Sequence, residues 1–451
     1  PIQMVSQTWD DHDRSGRYTC RDFGQNYLMS LQEDGNPIIF TNGDNDTFPL
    51  WYTQDVEGKR TDARVCNLSY LQTDWYIDQM RRPAYDSPSV PITWSRLEYC
   101  AGTNEYVYVK PELKNSIREL YKTYPEEAKE MFGENPFELQ NVLKYWVRNQ
   151  IDDKQRSIIQ MLVGAGASTK VIPTDTVYVT IDKEAVKRSG MLMASDSIPD
   201  RMEISLRGKN ALYKGDMMML EMVAQTNWER PIYVAMTVAA ENYMNLGDNF
   251  VQEGLVNRIT PFTTNIDGQP VAGAKTFDTK KTYDIVMNKF KFGGLEQPGI
   301  YLDETVTRMC YTHRRLCVHL AMNLMKEGEE KKAAEVLAHV DKYLPECNVP
   351  IDYASGSLDA ARLYLQLGQK EKGMDLMKKL WNKSYQYLKW YCSLEGMRFS
   401  SSQRECLMHF YILQSVLRYS AEGDMKWSEE RGKEFDAIAG IYAGKGGSFG
   451  Q

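Results

Sequence analysis

The stretch Asn36–Tyr52, reading NPIIFTNGDNDTFPLWY, narrows the possible folds more sharply than any other segment. Its apolar run Ile38-Ile39-Phe40 has the length and side chains of a buried strand. The segment from Thr41 to Thr47 is polar, contains a glycine and is dense in side-chain oxygens. Thr47 is placed to cap a following helix, with Pro49 in its first turn. Trp51, Tyr52 and Val56 then fall on one helical face. The stretch reads as strand, acidic turn, helix. In an open α/β sheet, ligands gather beyond the carboxyl ends of the strands, where this turn would lie.

The unit repeats at once. Arg64 to Leu68 is a second strand candidate and Tyr70 to Met80 a second helix, with Gly58 ending the first one. Two such units in succession predict parallel neighbours. Further strands are expected at Tyr106–Val109, Thr176–Ile181, Met202–Leu206 and Leu255–Thr260. Asp216 is expected to cap a helix running to Thr226, and the strand Ile232–Ala235 after it should join the first sheet. Gly164 to Ser168 has no Gly-Lys-Ser/Thr after it and reads as a turn, not a phosphate loop. The expected fold of residues 1–300 is an α/β Rossmann-like domain with a mostly parallel sheet.

From about Leu302 strand signals give way to helical periodicity. Cys317, Leu320, Ala321 and Leu324 form one apolar stripe; Ala333, Val336, Leu337 and Val340 form the next. LMKEGEEKKAAEVL returns 40 positions later as YLQLGQKEKGMDLM, so that Gly328 matches Gly368 and Ala321 matches Ala361. Helix, Gly turn, helix predicts an all-α tetratricopeptide-like helical repeat domain over 301–451. The family period is about 34, so the loop from Pro345 to Tyr353 would hold an insertion.

Composition excludes several classes. The chain of 451 residues is 42% hydrophobic and 25% charged, which is globular rather than disordered. Its net charge of -7 argues against a nucleic-acid partner held through phosphates. No apolar run approaches the ~18 residues that span a bilayer. The chain starts at Pro1 and is expected to be a piece of something longer. None of the eight cysteines forms a CxxC pair, and Cys66 and Cys317 are expected to be buried free thiols.

Asp44 and Asp46 form an Asp-x-Asp pair able to share one hard cation, with Asn45 and Thr47 beside them. The bland alternative is that these groups cap the helix and tie the turn. Asp10, Asp11, His12 and Asp13 form a second acidic cluster that would reach the same site if the fold brought it near. Trp51, Tyr52, Trp75 and Tyr76 read as core packing, or else as the walls of a sugar-binding cleft. Arg81 and Arg82 read as a solvated pair, or else as a phosphate clamp. His313, His319, His339 and His409 lack zinc spacing, and no Gly-x-Ser-x-Gly nucleophile elbow is present.

Longer segments carry a resemblance. WDDHDRSGRYTCRDF, FTNGDNDTFPLWYTQDVEG, ARVCNLSYLQTDWYIDQMRRPAY, QTNWERPIYVA, EGLVNRITP and MNKFKFGGLEQPGIYLDE are similar to the soluble C-terminal region of a bacterial family of large polytopic membrane proteins. That family is grouped as protein O-mannosyltransferase-like, and its membrane half resembles the type C glycosyltransferases. The resemblance implies a partner in the protein's own N-terminal transmembrane region and a periplasmic placement. It also implies that this piece alone is not a complete enzyme, because the catalytic acid of such transferases sits in the membrane half. The expected role is an accessory domain whose acidic turn holds acceptor, lipid phosphate through a divalent cation, or the partner loop, and whose helical repeats hold an acceptor protein or partner subunit. The rival expectations are a purely structural interaction module and an independent metal-dependent enzyme acting on sugars or phosphates.

Overall fold

The computed structural model describes residues 2–193, 197–266 and 268–449, with the side chains of Asp10 and Asp11 outside that description. The chain forms two compact units, one from Gly24–Ile285 and one from Pro1–Phe23 with Val286–Gln451. Among the described residues no helix is long and apolar enough to cross a membrane.

Helices α1 (Ile2–His12) and α2 (Thr19–Met29) precede the first strand. Strand β1 (Ile38–Thr41) leads into helix α3 (Asp44–Asp55), strand β2 (Arg64–Asn67) and helix α4 (Asp74–Met80). Both strands are buried at every residue, including the polar ends Thr41, Arg64 and Asn67. They pair in parallel, with Phe40 opposite Cys66. A long insertion follows. Strands β3 (Tyr106–Val109), β4 (Val171–Ile172), β5 (Thr176–Thr180), β6 (Arg201–Ser205) and β7 (Ala211–Tyr213) form two small sheets of their own, β4-β3-β7 and β5-β6. Ile117, Phe132, Trp146 and Ile159 build a separate core within the insertion.

The buried helix Lys214–Gln225 returns the chain to the first sheet. It begins two residues ahead of Asp216, whose carboxylate instead accepts the Tyr213 N–H at 2.9 Å from the third helical position. Strand β8 (Ile232–Ala235) lies parallel to β1, as expected. Strands β9 (Phe250–Glu253) and β10 (Val256–Ile259) complete the order β2-β1-β8-β10-β9. The sheet is mixed, which corrects the expectation of a mostly parallel one. Only Gly254 and Leu255 separate β9 from β10, and so short a link can join antiparallel strands alone. Strand β10 is antiparallel to β8 as well. The α/β character of the unit stands in this mixed form.

The second unit is helical from Glu304 on. Its helices are Glu304–Lys326, Glu330–Tyr343, Ser357–Gln366, Lys370–Ser393, Gln403–Ser420 and Met425–Gly444, with a short helix Gly396–Ser401 between the fourth and fifth. The two repeat glycines sit in identical turns. Gly328 at φ 78° and Gly368 at φ 76° adopt the left-handed conformation that favours glycine. The Gly328 and Glu329 amides donate to Met325 and Leu324 carbonyls, and the Gly368 and Gln369 amides to Leu365 and Tyr364. Each is a Schellman ending, which turns the chain sharply into the next helix. The sequence repeat is therefore a structural repeat of helical hairpins. The intervening loop is gathered on Arg314, which donates to the carbonyls of Leu344 (2.7 Å), Val349 (2.8 Å) and Pro350 (2.9 Å).

Candidate functional site

The acidic segment after β1 is not a free turn. Asp44, Asn45, Asp46 and Thr47 form the opening of α3, with Gly43 at its N-cap and Pro49 inside it. That corrects the helix start, which the sequence places at Thr47. Acidic residues in a first helical turn complement the positive end of the helix dipole, so the segment gains more as helix than as loop. Asp44 and Asn45 are exposed, whereas Asp46 and Thr47 are buried. Residues two apart on a helix point to nearly opposite sides, and the Asp44 and Asp46 carboxylates do not share one face. Asp46 accepts from the Thr237 hydroxyl at 2.8 Å and the Asn42 amide at 3.3 Å. Burial raises its pKa above the ordinary carboxyl value, against those hydrogen bonds. The Thr47 hydroxyl meets that of Thr41 at 2.8 Å and accepts from the Asn67 side chain at 2.9 Å. Together these groups fasten the carboxyl ends of β1 and β2 to α3 and to the loop after β8.

The open space lies beside this clamp, along the outer edge of β2. A cleft of about 740 Å³ runs between α3 and α4, inside the range of roughly 300–1,000 Å³ common for small-ligand sites. Trp51 from α3, Trp75 from α4 and Tyr70 between them form its aromatic wall. The Trp51 and Tyr70 rings stack at 6.2 Å and 26°, and Tyr70 meets Trp75 at 5.9 Å. Trp75 is 55% exposed. Phe48, 47% exposed, extends the aromatic surface to Trp51 at 5.6 Å. The reading of these rings as core therefore holds for Tyr76, which is buried, and fails for Trp75. An apolar side chain on a short helix beside an edge strand has no sheet to cover it. Tyr52 is exposed and does not line the cleft.

Arg64 and Val65 lie at the base of the cleft and Tyr85 at its mouth. Arg64 is only 4% exposed. One of its terminal nitrogens donates to the carbonyls of Gln79 at 2.6 Å and Arg82 at 2.9 Å, near the end of α4. Tyr85 holds a left-handed backbone, φ 53°, which is uncommon for a bulky residue. Its hydroxyl donates to Asp55 at 2.7 Å, which fixes the ring across from α3. Neither Arg64 nor Tyr85 stood out in the sequence. The one local signal for Arg64 is its place directly ahead of the apolar pair Val65-Cys66 in a strand.

The other anticipated residues are placed as follows. His12 and Asp13 belong to the other unit, where His12 Nδ1 lies 2.9 Å from the Thr8 carbonyl and Asp13 accepts from the Ser15 amide and hydroxyl. The Asp11 side chain lies outside the described part. Arg81 donates to the Tyr99 hydroxyl at 2.8 Å, and Arg82 is exposed. Among the described residues no three His, Cys, Asp or Glu side chains gather as a metal site would. Cys66 and Cys317 are buried free thiols, each pushed up to about 12 by burial. In the helical unit a smaller groove of about 250 Å³ is lined by Leu337, Asp341, Tyr364 and Lys372.

Fold and site together define a mixed α/β domain with an aromatic cleft on its sheet edge, followed in sequence by helical hairpins. The family model TMEM260-associated domain 2 matches residues 20–281, more than half of the chain, and the chain belongs to that family. The match covers nearly all of the α/β unit and includes every residue of the cleft. It also supports the membrane-protein kinship that the sequence resemblance implies, at the level of a domain associated with a membrane-protein family. No curated protein matches the chain, and no solved structure does.

Proposed function

We propose that this chain is an extramembrane accessory part of a glycosyltransferase-like membrane protein, and that its α/β unit holds a carbohydrate-bearing acceptor in the cleft between α3 and α4. The observation that carries this reading is the aromatic wall of Trp51, Tyr70 and Trp75 around a cleft of about 740 Å³. The C–H faces of a pyranose pack well on indole and phenol rings, whose faces carry the negative end of the quadrupole. In this reading the hairpins of the second unit, tetratricopeptide-like in their Gly-turned pairing, hold the protein part of an acceptor or a partner subunit. The clamp around Asp46 and Thr47 positions α3 and so the wall; it does no chemistry itself. Periplasmic placement belongs to the same proposal.

The test is a titration of the 451-residue chain with neutral hexose oligosaccharides, followed by tryptophan fluorescence. The expected result is a saturable change that Trp75→Ala weakens at least about tenfold while the melting temperature stays put. In the full-length protein the same change should lower glycan transfer. Titration without any fluorescence response would leave the purely structural module as the better reading.

A further inference from the structure

The cleft has an unmet charge at its base. Arg64 is the one cation among its lining residues, and Asp55 the one acid. Asp55 already accepts the Tyr85 hydroxyl. No carboxylate lies within ion-pair distance of Arg64 among the described residues. Its Nη1 is buried without a hydrogen-bond partner, while Nη2 serves two carbonyls. A guanidinium has five N–H donors, and with both of those on Nη2 taken the two on Nη1 remain for a charge-assisted bond to an oxyanion. Leaving such a donor dry is costly, and structures rarely tolerate it without a role. A second arginine deepens the deficit: Arg230 is depressed to about 10, first by burial and then by the charge of Arg64.

From the unpartnered Nη1 of Arg64 below the Trp51–Tyr70–Trp75 wall we infer that the cleft selects sugars carrying an oxyanion, a phosphate or a carboxylate on the pyranose. This rests on the carbohydrate reading above and narrows its ligand class. The ring of the sugar lies on the indoles and the oxyanion reaches down to Arg64. Capping of α4 by Nη2 already orients the guanidinium, so little of its freedom is lost when the anion arrives. Tyr85, held by Asp55, closes the mouth on the opposite side.

Isothermal titration of the 451-residue chain with glucose, glucose 6-phosphate, glucuronate and inorganic phosphate tests this. At low salt one or both anionic sugars should bind about tenfold or more tighter than glucose, as charge-assisted hydrogen bonds would give. Their ranking tells phosphate from carboxylate. Arg64→Gln should abolish the preference, so that in the variant the anionic sugars bind no tighter than glucose does. If that variant does not fold, the wild-type ratio itself decides: it must shrink between 20 mM and 500 mM salt. Equal affinity for glucose and both anionic sugars overturns the inference and leaves the carbohydrate reading standing. Inorganic phosphate bound with no sugar bound at all overturns both.

Discussion

The phenolic oxygen of Tyr76 stands 2.9 Å from the backbone amide of Asn67 and 3.4 Å from the carbonyl of Val65. One buried side chain thus accepts from one outward-facing group of the edge strand β2 and donates to another. Edge strands expose rows of unpaired backbone groups that invite wrong pairing, and here a tyrosine from α4 takes the place of a neighbouring strand. It also fixes α4 against β2 and thereby the side of the cleft that carries Trp75.

Tyr76→Phe is therefore a sharp probe. The ring stays and the buried Asn67 amide loses its acceptor, at a cost of roughly 1–3 kcal/mol. The melting temperature should fall, and amide exchange at Asn67 should quicken. Unchanged exchange at Asn67 would show that the phenol does not protect the edge.

Asp46 gives a pH-dependent case. Burial raises its pKa above 3.8. An acid raised in the folded state holds its proton more tightly there than in the unfolded chain. Its favourable contribution is complete below 3.8 and is lost as pH rises through the folded value. Asp46→Asn keeps the shape and an oxygen for Thr237 and Asn42 but does not titrate. The melting temperature of the variant relative to the parent should rise between pH 3.5 and pH 7. A difference that stays constant over that range would show that the carboxylate is not desolvated.

How much of this was legible follows from what each signal reports. The run at Ile38–Phe40, the strand at Ile232–Ala235 and the glycines at 328 and 368 are local signals, and each appears where its pattern puts it. Pairing is not local. Nothing around Val256 says that it will lie antiparallel to β8, since the choice is made by a two-residue link and by partners far away in the chain. The acidic segment shows a related failure. Its oxygens suggested a ligand loop, but Asp46 and Thr47 turn inward to fasten the ends of β1 and β2 and the loop after β8. Whether the rings of Trp51 and Trp75 are covered depends on β2 being an edge, which no residue of α3 or α4 encodes.

Arg314 holds the loop that lengthens the helical repeat to 40 positions. It is buried and spreads its donors over the loop from Leu344 to Ser355, including the Ser355 hydroxyl at 3.3 Å. An ammonium cannot make this fan, because it lacks the planar fork. Arg314→Lys should destabilise the helical unit by roughly 2–3 kcal/mol, with faster amide exchange around Val349 and no change in the strands β1 and β2. Loss confined to the α/β unit would contradict the assignment.

His313 sets an opposite pH dependence in the same helical unit. Its ring is buried among Phe23, Phe290 and Phe292, with centroids 5.6, 5.6 and 5.8 Å away, and Nδ1 lies 3.0 Å from the Met309 carbonyl. Burial pushes its pKa down from 6.5 to about 4. The folded state therefore holds the neutral ring where the unfolded chain would protonate it. The stability this gives is whole above pH 6.5, declines as pH falls and is gone once the folded ring itself protonates near 4. The decline amounts to about 3 kcal/mol in all. His313→Phe keeps an aromatic ring among the three phenylalanines and removes the titration. Across pH 7 to 4 the variant should therefore lose less stability in urea than the parent does. Parallel declines in the two proteins would mean that His313 is solvated and that the acid sensitivity of this unit arises elsewhere.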